Sequence, residues 1–175
     1  MTGAAAHLEH AVREARRIRK NLVRLRGDTD LGGDCGLASL LLADAIADVS
    51  VLRHTEDSRG RFCTPHVWTA VDGVIVDITA TQFNDNLESD DAGEPPVFGV
   101  LVTKAPRVYH RPIAGRGRQT LAYLSDVCWY EDQDHRRLRA AMARLGNAVI
   151  QGRSDPRRSR RPPSRQPSRV QGTPP

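Results

Sequence analysis

The dipeptide Asp72-Gly73, which separates two apolar runs, is the feature that most constrains how this chain can fold. The runs are HVWTAV before the dipeptide and VIVDIT after it. Asp-Gly between such runs is one of the strongest short signals for a two-residue β-hairpin. If these two residues form the loop, the register is fixed and Val71 opposes Val74. The sequence therefore predicts antiparallel strands around this turn.

Alternation along the hairpin sorts its side chains onto two faces. One face suits a core and carries Val67, Thr69, Val71, Val74, Val76 and Ile78. The other face carries His66, Trp68, Ala70, Ile75, Asp77 and Thr79. In this register His66 opposes Thr79 and is the diagonal neighbour of Asp77, roughly 7–8 Å away along the backbone. Because an unpaired buried carboxylate is costly, we expect a hydrogen bond between His66 and Asp77.

The rest of the chain up to residue 150 predicts an α+β domain with N-terminal helices packed on an antiparallel sheet. Residues 7–26 have one apolar stripe, formed by Leu8, Val12, Ala15, Ile18, Leu22 and Leu25. Cys35–Asp48, in contrast, is apolar on nearly every side, as is typical of a central buried helix. Asp34 is the expected N-cap of that second helix. A third helix is expected over Asp132–Ile150. Further strands are expected at Val49–Arg53, 97–103 and 107–110. The pattern of residues 116–126 does not distinguish a helix from a strand.

The last segment, residues 151–175, differs sharply in composition from residues 1–150. It holds seven Arg, one Asp and six of the eleven prolines, so residues 1–150 carry a formal charge of only about −1 although the whole chain carries +5. This composition predicts a disordered basic tail after the domain. The tail either binds an anionic partner or is a solubilising extension, and the second interpretation is favoured because no aromatic residues interleave its arginines.

The sequence shows no targeting or membrane signal, so we expect a cytoplasmic protein. No apolar run approaches the ~20 residues that a membrane span requires, and no apolar signal core precedes the charges of the N-terminal region. Three scattered cysteines do not suggest a disulfide framework.

A zinc site is the metal hypothesis that the sequence raises. Cys63 lies three residues before His66, a spacing that occurs in zinc sites. A tetrahedral site requires about four ligands. Only Cys128 with His54 or His110 could complete the set, and no second paired motif exists. We therefore predict no metal.

Cys35 is the candidate nucleophile. It lies in the sequence GGDCG at the predicted start of the apolar helix, where free N–H groups and the helix dipole stabilise a thiolate. The N–H group of Cys35 could also donate to a developing oxyanion. Taken singly, Cys35 could be a buried structural thiol, His66 a strand-edge histidine and Asp77 a loop cap. The three together favour a catalytic site.

Three segments of the sequence resemble the transglutaminase-like thiol enzymes. They are GDCGLA at the start of the apolar helix, HVWTAV in the first hairpin strand, and GVIVDIT in the second. The resemblance spans residues 31–83 and implies a Cys–His–Asp triad on a papain-like fold. Carried over by position, Cys35 is the nucleophile, His66 the general base and acid, and Asp77 the residue that orients the imidazole.

The resemblance implies acyl transfer on an amide bond of a protein or peptide through a thioester, with no cofactor. Because the superfamily includes peptidases, amidases and protein deamidases, the acceptor stays open. Gly36, Trp68 and Gln82 are the candidate substrate-binding residues. Trp68 either packs beside the cleft or grips substrate, and Gln82 either bonds locally or assists the oxyanion. The alternatives are a non-catalytic binding domain with the same fold and an arylamine N-acetyltransferase-like enzyme.

Overall fold

The fold is α+β, as predicted. A computed structural model describes residues 3–56, 65–86, 95–127, 136–137 and 139–145. Its helices are α1 (Gly3–Arg26), α2 (Cys35–Ala45) and α3 (Arg118–Val127), and residues 136–137 and 139–145 are also helical. Its strands are β1 (Leu52–Thr55), β2 (His66–Val71), β3 (Val74–Asp77), β4 (Leu101–Thr103) and β5 (Gly115–Arg116). They form one sheet in the order β4-β3-β2-β1-β5, antiparallel at every pairing.

The hairpin between β2 and β3 has the predicted register. Its partners are Thr69 with Val76, Ala70 with Ile75 and Val71 with Val74. Asp72 (φ 49°) and Gly73 (φ 79°) both adopt the left-handed conformation. A type I′ turn requires that conformation at both loop residues, and its twist matches that of the strands. The turn residues therefore determine which side chains share a face at the far ends of the two strands.

Both faces of the hairpin are covered, although the sequence predicted a core on only one. The predicted core residues Val67, Val71, Val76 and Ile78 pack with α1 and α2 in the main apolar cluster. On the other face lies a second, smaller cluster of Ala80, Phe83, Val97 and Tyr109, and the rings of Phe83 and Tyr109 contact His66. Its members come from short 3-10 helices and a loop, which carry no periodic pattern that could have announced a second core.

Helix α2 is the central buried helix that its composition predicts. Its buried residues are Gly36, Leu37, Ala38, Ser39, Leu40, Leu42 and Ala43. The hydroxyl of Ser39 donates to the carbonyl of Val67 at 3.0 Å and so joins the helix to β2. The helix ends at Ala45 rather than at Asp48, because Ala47 turns left-handed (φ 54°) and the N–H of Asp48 closes back on the carbonyl of Ala43.

Helix α1 begins at Gly3, earlier than predicted, and buries a slightly different stripe. Ala15, Ile18 and Leu22 are buried as expected, together with Ala11. Leu25, the last residue of the predicted stripe, is exposed. The ambiguous segment 116–126 divides between the end of β5 and helix α3.

The strand predicted at 107–110 is wrong and the one predicted at Val49–Arg53 is confirmed only at Leu52 and Arg53, because local capping draws the remaining residues into 3-10 turns. Val49–Val51 is a 3-10 helix, since the carboxylate of Asp48 accepts the N–H of Ser50 at 2.8 Å, and the strand begins only at Leu52. Val108–His110 is likewise a 3-10 helix. Residues that are common in strands also tolerate such turns when a side chain satisfies the backbone.

The predicted strand 97–103 is confirmed only at Leu101–Thr103. At its start, the N–H and carbonyl of Val97 bond the side chain of Asn84 at 2.9 Å each and not a neighbouring strand. The predicted tail, both ends of the helix expected at Asp132–Ile150, Cys63 and Cys128 lie outside the described residues. Within the described ranges, no helix has the length and apolar character to cross a membrane.

Candidate functional site

The hydrogen bond predicted between His66 and Asp77 is present. His66 Nε2 lies 2.8 Å from Asp77 Oδ2, and both side chains are 1% exposed. The other carboxylate oxygen, Oδ1, accepts the backbone N–H of Thr79 at 2.9 Å and its hydroxyl at 3.3 Å. Asp77 is tolerated at the end of an apolar strand because both of its oxygens have donors.

His110 is a second histidine on the same carboxylate. Its Nε2 lies 3.1 Å from Asp77 Oδ2, and its Nδ1 accepts the backbone N–H of Arg107 at 3.1 Å. Because Nδ1 is an acceptor, the ring proton is on Nε2 and is donated to Asp77. In the sequence His110 was considered only as a zinc ligand, because the segment RVYH was interpreted as a strand. No sequence signal connects it to Asp77.

Aromatic rings enclose His66. The ring of Trp68 stacks near it with centroids 5.6 Å apart, and Phe83 and Tyr109 approach edge-on at 4.8 and 5.7 Å. These rings keep bulk water from the imidazole, and charge interactions are stronger in such surroundings than at the surface.

Charge and hydrogen bonding set the protonation of this cluster. Burial alone would lower the pKa of His66, but the charge and hydrogen bond of Asp77, with smaller contributions from Cys35, raise it to about 9. Burial would raise the pKa of Asp77, but His66 and His110 hold it well below its usual range. Burial lowers the pKa of His110 despite its bond to Asp77. Near neutral pH the cluster is thus an imidazolium, a carboxylate and a neutral imidazole.

Cys35 interacts with His66 from the start of α2. It is a free, partly exposed thiol at the first residue of the helix, and it lies close enough to His66 to contribute to the raised pKa of the imidazole. Ser39 lies one turn further along the same helix face and bonds the carbonyl of Val67, next to His66 in β2. Because Asp77 occupies Nε2, the ring atom left for the thiol is Nδ1.

Gln82 borders the same ring atom. Its Nε2 lies 3.5 Å from His66 Nδ1 and 3.1 Å from the hydroxyl of Thr79. The half-buried amide therefore lies beside the ring nitrogen that Asp77 leaves open. This position keeps open the oxyanion role considered from the sequence.

The other two candidate substrate-binding residues are buried. Trp68 is 1% exposed and packs against the rings of both His66 and His110, 5.6 and 5.0 Å from their centroids. This position favours packing over direct contact with substrate. Gly36 follows Cys35 in the first turn of α2 and is also buried.

Asp34 is the N-cap residue of α2, as predicted, but its side chain makes no capping hydrogen bond. Its buried carboxylate instead forms a two-pronged ion pair with Arg26, at 3.0 Å from Nε and 2.8 Å from Nη2. The planar guanidinium matches both carboxylate oxygens, which a backbone N–H cannot do. The negative charge next to Cys35 is therefore compensated from α1.

One grouping among the described residues could hold a metal ion. His66, Asp77 and His110 each offer one ligand atom, and these atoms lie within 4.8 Å of one another. The two N–H···O contacts already satisfy all three atoms, so the geometry favours a hydrogen-bonded cluster. His54, another of the proposed zinc ligands, instead bonds Thr120 through Nδ1 at 2.9 Å.

A cleft of about 580 Å³ lies beside the site, and it is lined by Arg19, Thr29, Asp30, Thr81, Asn84, Val97, Phe98 and Gly99. Thr29 and Asp30 belong to the loop that leads to Cys35, and Thr81 directly precedes Gln82. Arg19 donates to the carbonyls of Ile78 and Thr29 at 2.8 and 2.6 Å, so it joins this loop to the end of β3. Phe98 is 90% exposed at the cleft.

The chain was compared with family models, with curated proteins and with solved structures, and nothing matched in any of the three comparisons.

Proposed function

We propose that the protein is a transglutaminase-like thiol enzyme of papain-like fold that transfers an acyl group from an amide bond through a thioester. The observation that carries this proposal is the position of His66, which bonds Asp77 through Nε2 and lies close enough to Cys35 for the thiol to raise its pKa. An imidazole oriented by a carboxylate and facing a thiol is the arrangement that activates a nucleophilic cysteine.

The proposed reaction begins with the thiolate of Cys35 attacking the amide carbonyl. The first N–H groups of α2 lack partners within the helix, so the N–H of Cys35 donates to the developing oxyanion. The amide of Gln82, at 3.5 Å from the imidazole, is a second donor of suitable position. His66 then gives its Nδ1 proton to the leaving amine, and the C–N bond breaks.

In the second half of the reaction, His66 takes a proton from the acceptor, which attacks the thioester and releases Cys35. Water as acceptor gives a peptidase, amidase or deamidase, and an amine gives a transferase. Asp77 stays ionised, because the charge of His66 and the hydrogen bonds from His110 and His66 hold its pKa well below its usual range.

A peptide or protein is the proposed substrate, and the cleft beside Gln82 is its proposed binding site. The cleft combines the exposed ring of Phe98 with hydroxyl and amide groups such as those of Thr81 and Asn84. Such a lining suits an extended polypeptide, which presents both apolar side chains and backbone donors and acceptors.

The test is mass spectrometry of the full chain incubated with glutamine-containing peptides, with and without a primary amine. We expect peptide cleavage, deamidation (a gain of about 1 Da) or amine incorporation, each depending on an acyl-enzyme at Cys35. Cys35→Ala should abolish the product, and Cys63→Ala is the matched control that removes a different thiol. Equal product from wild type and Cys35→Ala, or no product and no acyl adduct from wild type, would contradict the proposal.

A further inference from the structure

We propose that His110 is a positioning residue of this site, because its Nε2–H group holds Asp77 Oδ2 and so fixes the carboxylate toward His66. This inference rests on the proposed function for its role in catalysis. The hydrogen-bond geometry from which it is argued is independent of that function.

The first step is the way in which the carboxylate is held. Asp77 Oδ2 accepts from His66 at 2.8 Å and from His110 at 3.1 Å, and Oδ1 accepts from Thr79. Without His110, the only donor to Oδ2 would be His66, which is the ring that Asp77 is proposed to orient. His110 supplies a donor to Oδ2 that is independent of His66.

The second step is that His110 is itself fixed. Its Nδ1 accepts the backbone N–H of Arg107, and its ring packs against Tyr109 and Trp68 with centroids 4.6 and 5.0 Å apart. The side chain is fully buried. A residue held by the backbone on one side and by aromatic rings around it can orient its neighbour without moving with it.

The third step concerns charge. The charged groups that face His110 are Asp77 on β3, His66 on β2 and Arg107 next to its own 3-10 helix. A second imidazolium here would be buried beside His66 and Arg107, so His110 stays neutral and acts as a dipole. As a neutral donor it spreads the charge of Oδ2 and limits how strongly Asp77 retains the His66 proton. An imidazolium that is retained less strongly is a better acid for the leaving amine.

The two nitrogens of His110 can be tested separately. Nδ1 is attached to Cγ, where an Asn side chain carries its amide atoms, and Nε2 lies one bond further, where a Gln side chain carries its own. His110→Asn can therefore keep the acceptor for Arg107 and lose the donor to Asp77. His110→Gln can keep that donor and lose the acceptor.

The experiment is an NMR titration of the His66 ring in the full chain, with the pH dependence of Cys35 alkylation measured in parallel. The pKa of His66, about 9 in the wild type, should rise by roughly one unit in His110→Asn, because a hydrogen bond to a charged group is lost. His110→Gln should titrate like the wild type. Alkylation of Cys35 should show the same displacement of its alkaline limb in His110→Asn only.

An unchanged or lowered pKa of His66 in His110→Asn, or the same shift in both variants, would overturn the inference. If His110→Asn does not fold, His110→Gln still decides, since a titration displaced from that of the wild type would contradict the donor role. Failure of acyl transfer by the wild type would contradict the proposed function, whereas the titration tests His110 without any substrate.

Discussion

Two histidine–aspartate pairs have their aspartate in the same hairpin, and they differ in burial. Asp72 in the hairpin loop meets His7 of α1 at 3.2 Å, and these side chains are 38% and 34% exposed. Asp77, at the end of the second strand, meets His66 at 2.8 Å with both side chains 1% exposed. The residue types are identical and the distances similar, so the comparison isolates the effect of the surroundings.

The difference in burial explains why only the buried pair fixes the protonation state of its histidine. At the loop, water competes for both partners and salt screens their attraction, so an exposed pair contributes little. In the buried pair, water is replaced by aromatic rings and by further donors to the carboxylate, and the pKa of His66 rises to about 9. Protonation near neutral pH is therefore fixed by the fold at Asp77, whereas the pair at Asp72 stays open to solvent.

The largest expected effect is on stability when the buried pair is broken. Asp77→Asn should lower the free energy of unfolding by about 3–5 kcal/mol, because it removes the charge that the buried imidazolium of His66 requires. Urea unfolding at neutral pH measures it. Asp72→Asn is the matched control, with the same substitution in the same hairpin. Equal losses in the two variants would show that burial does not separate the pairs.

The next effect is the pH dependence of stability. The folded-state pKa of His66, about 9, lies above its ordinary value of 6.5, so this stabilisation is complete below pH 6.5 and is lost as the pH rises through 9. Across that window we expect the free energy of unfolding to fall by about 3 kcal/mol. Asp72→Asn should keep this decline and Asp77→Asn should flatten it. A wild-type protein whose stability is constant across the window would contradict the buried imidazolium.

A smaller effect is expected from the ion pair beside the nucleophile. Arg26→Gln leaves the buried carboxylate of Asp34 uncompensated next to Cys35, which disfavours the thiolate. Alkylation of Cys35 near neutral pH should slow by a factor of up to about ten. The double variant Arg26→Gln/Asp34→Asn should recover most of the rate, because the unpaired charge is gone. A double variant as slow as Arg26→Gln would mean that charge is not the cause.

The smallest effect is expected at the exposed pair. Asp72→Asn should change the free energy of unfolding by less than about 1 kcal/mol, and added salt should reduce the difference further. Asn tolerates the left-handed conformation that Asp72 adopts in the turn, so the substitution removes the charge without straining the hairpin. A loss of several kcal/mol that persists in high salt would refute the contrast between the two pairs.

The sequence was sufficient to predict the hairpin and the His66–Asp77 contact. The Asp72-Gly73 turn fixes the register, and the period of two then determines which side chains share a face, so a contact between neighbouring strands follows from local pattern. The buried nature of α2 followed in the same way from the apolar residues on nearly all its sides.

The contacts that the sequence did not predict join parts of the chain that no local pattern relates. His110 reaches Asp77 across 33 positions, from a 3-10 turn in a segment that was interpreted as a strand. The side chain of Asp34 bonds Arg26 of the preceding helix, although its N-cap position before α2 suggested a capping hydrogen bond. In both cases tertiary packing outweighed the local preference of the residue.

The most direct test of the account is the alkylation rate of each cysteine as a function of pH, in the wild type and in His66→Gln. Gln keeps a donor for Asp77 and lacks the second ring nitrogen that the proposed mechanism assigns to the thiol. We predict that near neutral pH Cys35 reacts about tenfold or more faster than Cys63 and Cys128, and that His66→Gln removes this advantage while the chain stays folded. A Cys35 that reacts no faster than the other two thiols, or as fast without His66, would contradict the claim that the imidazole activates it.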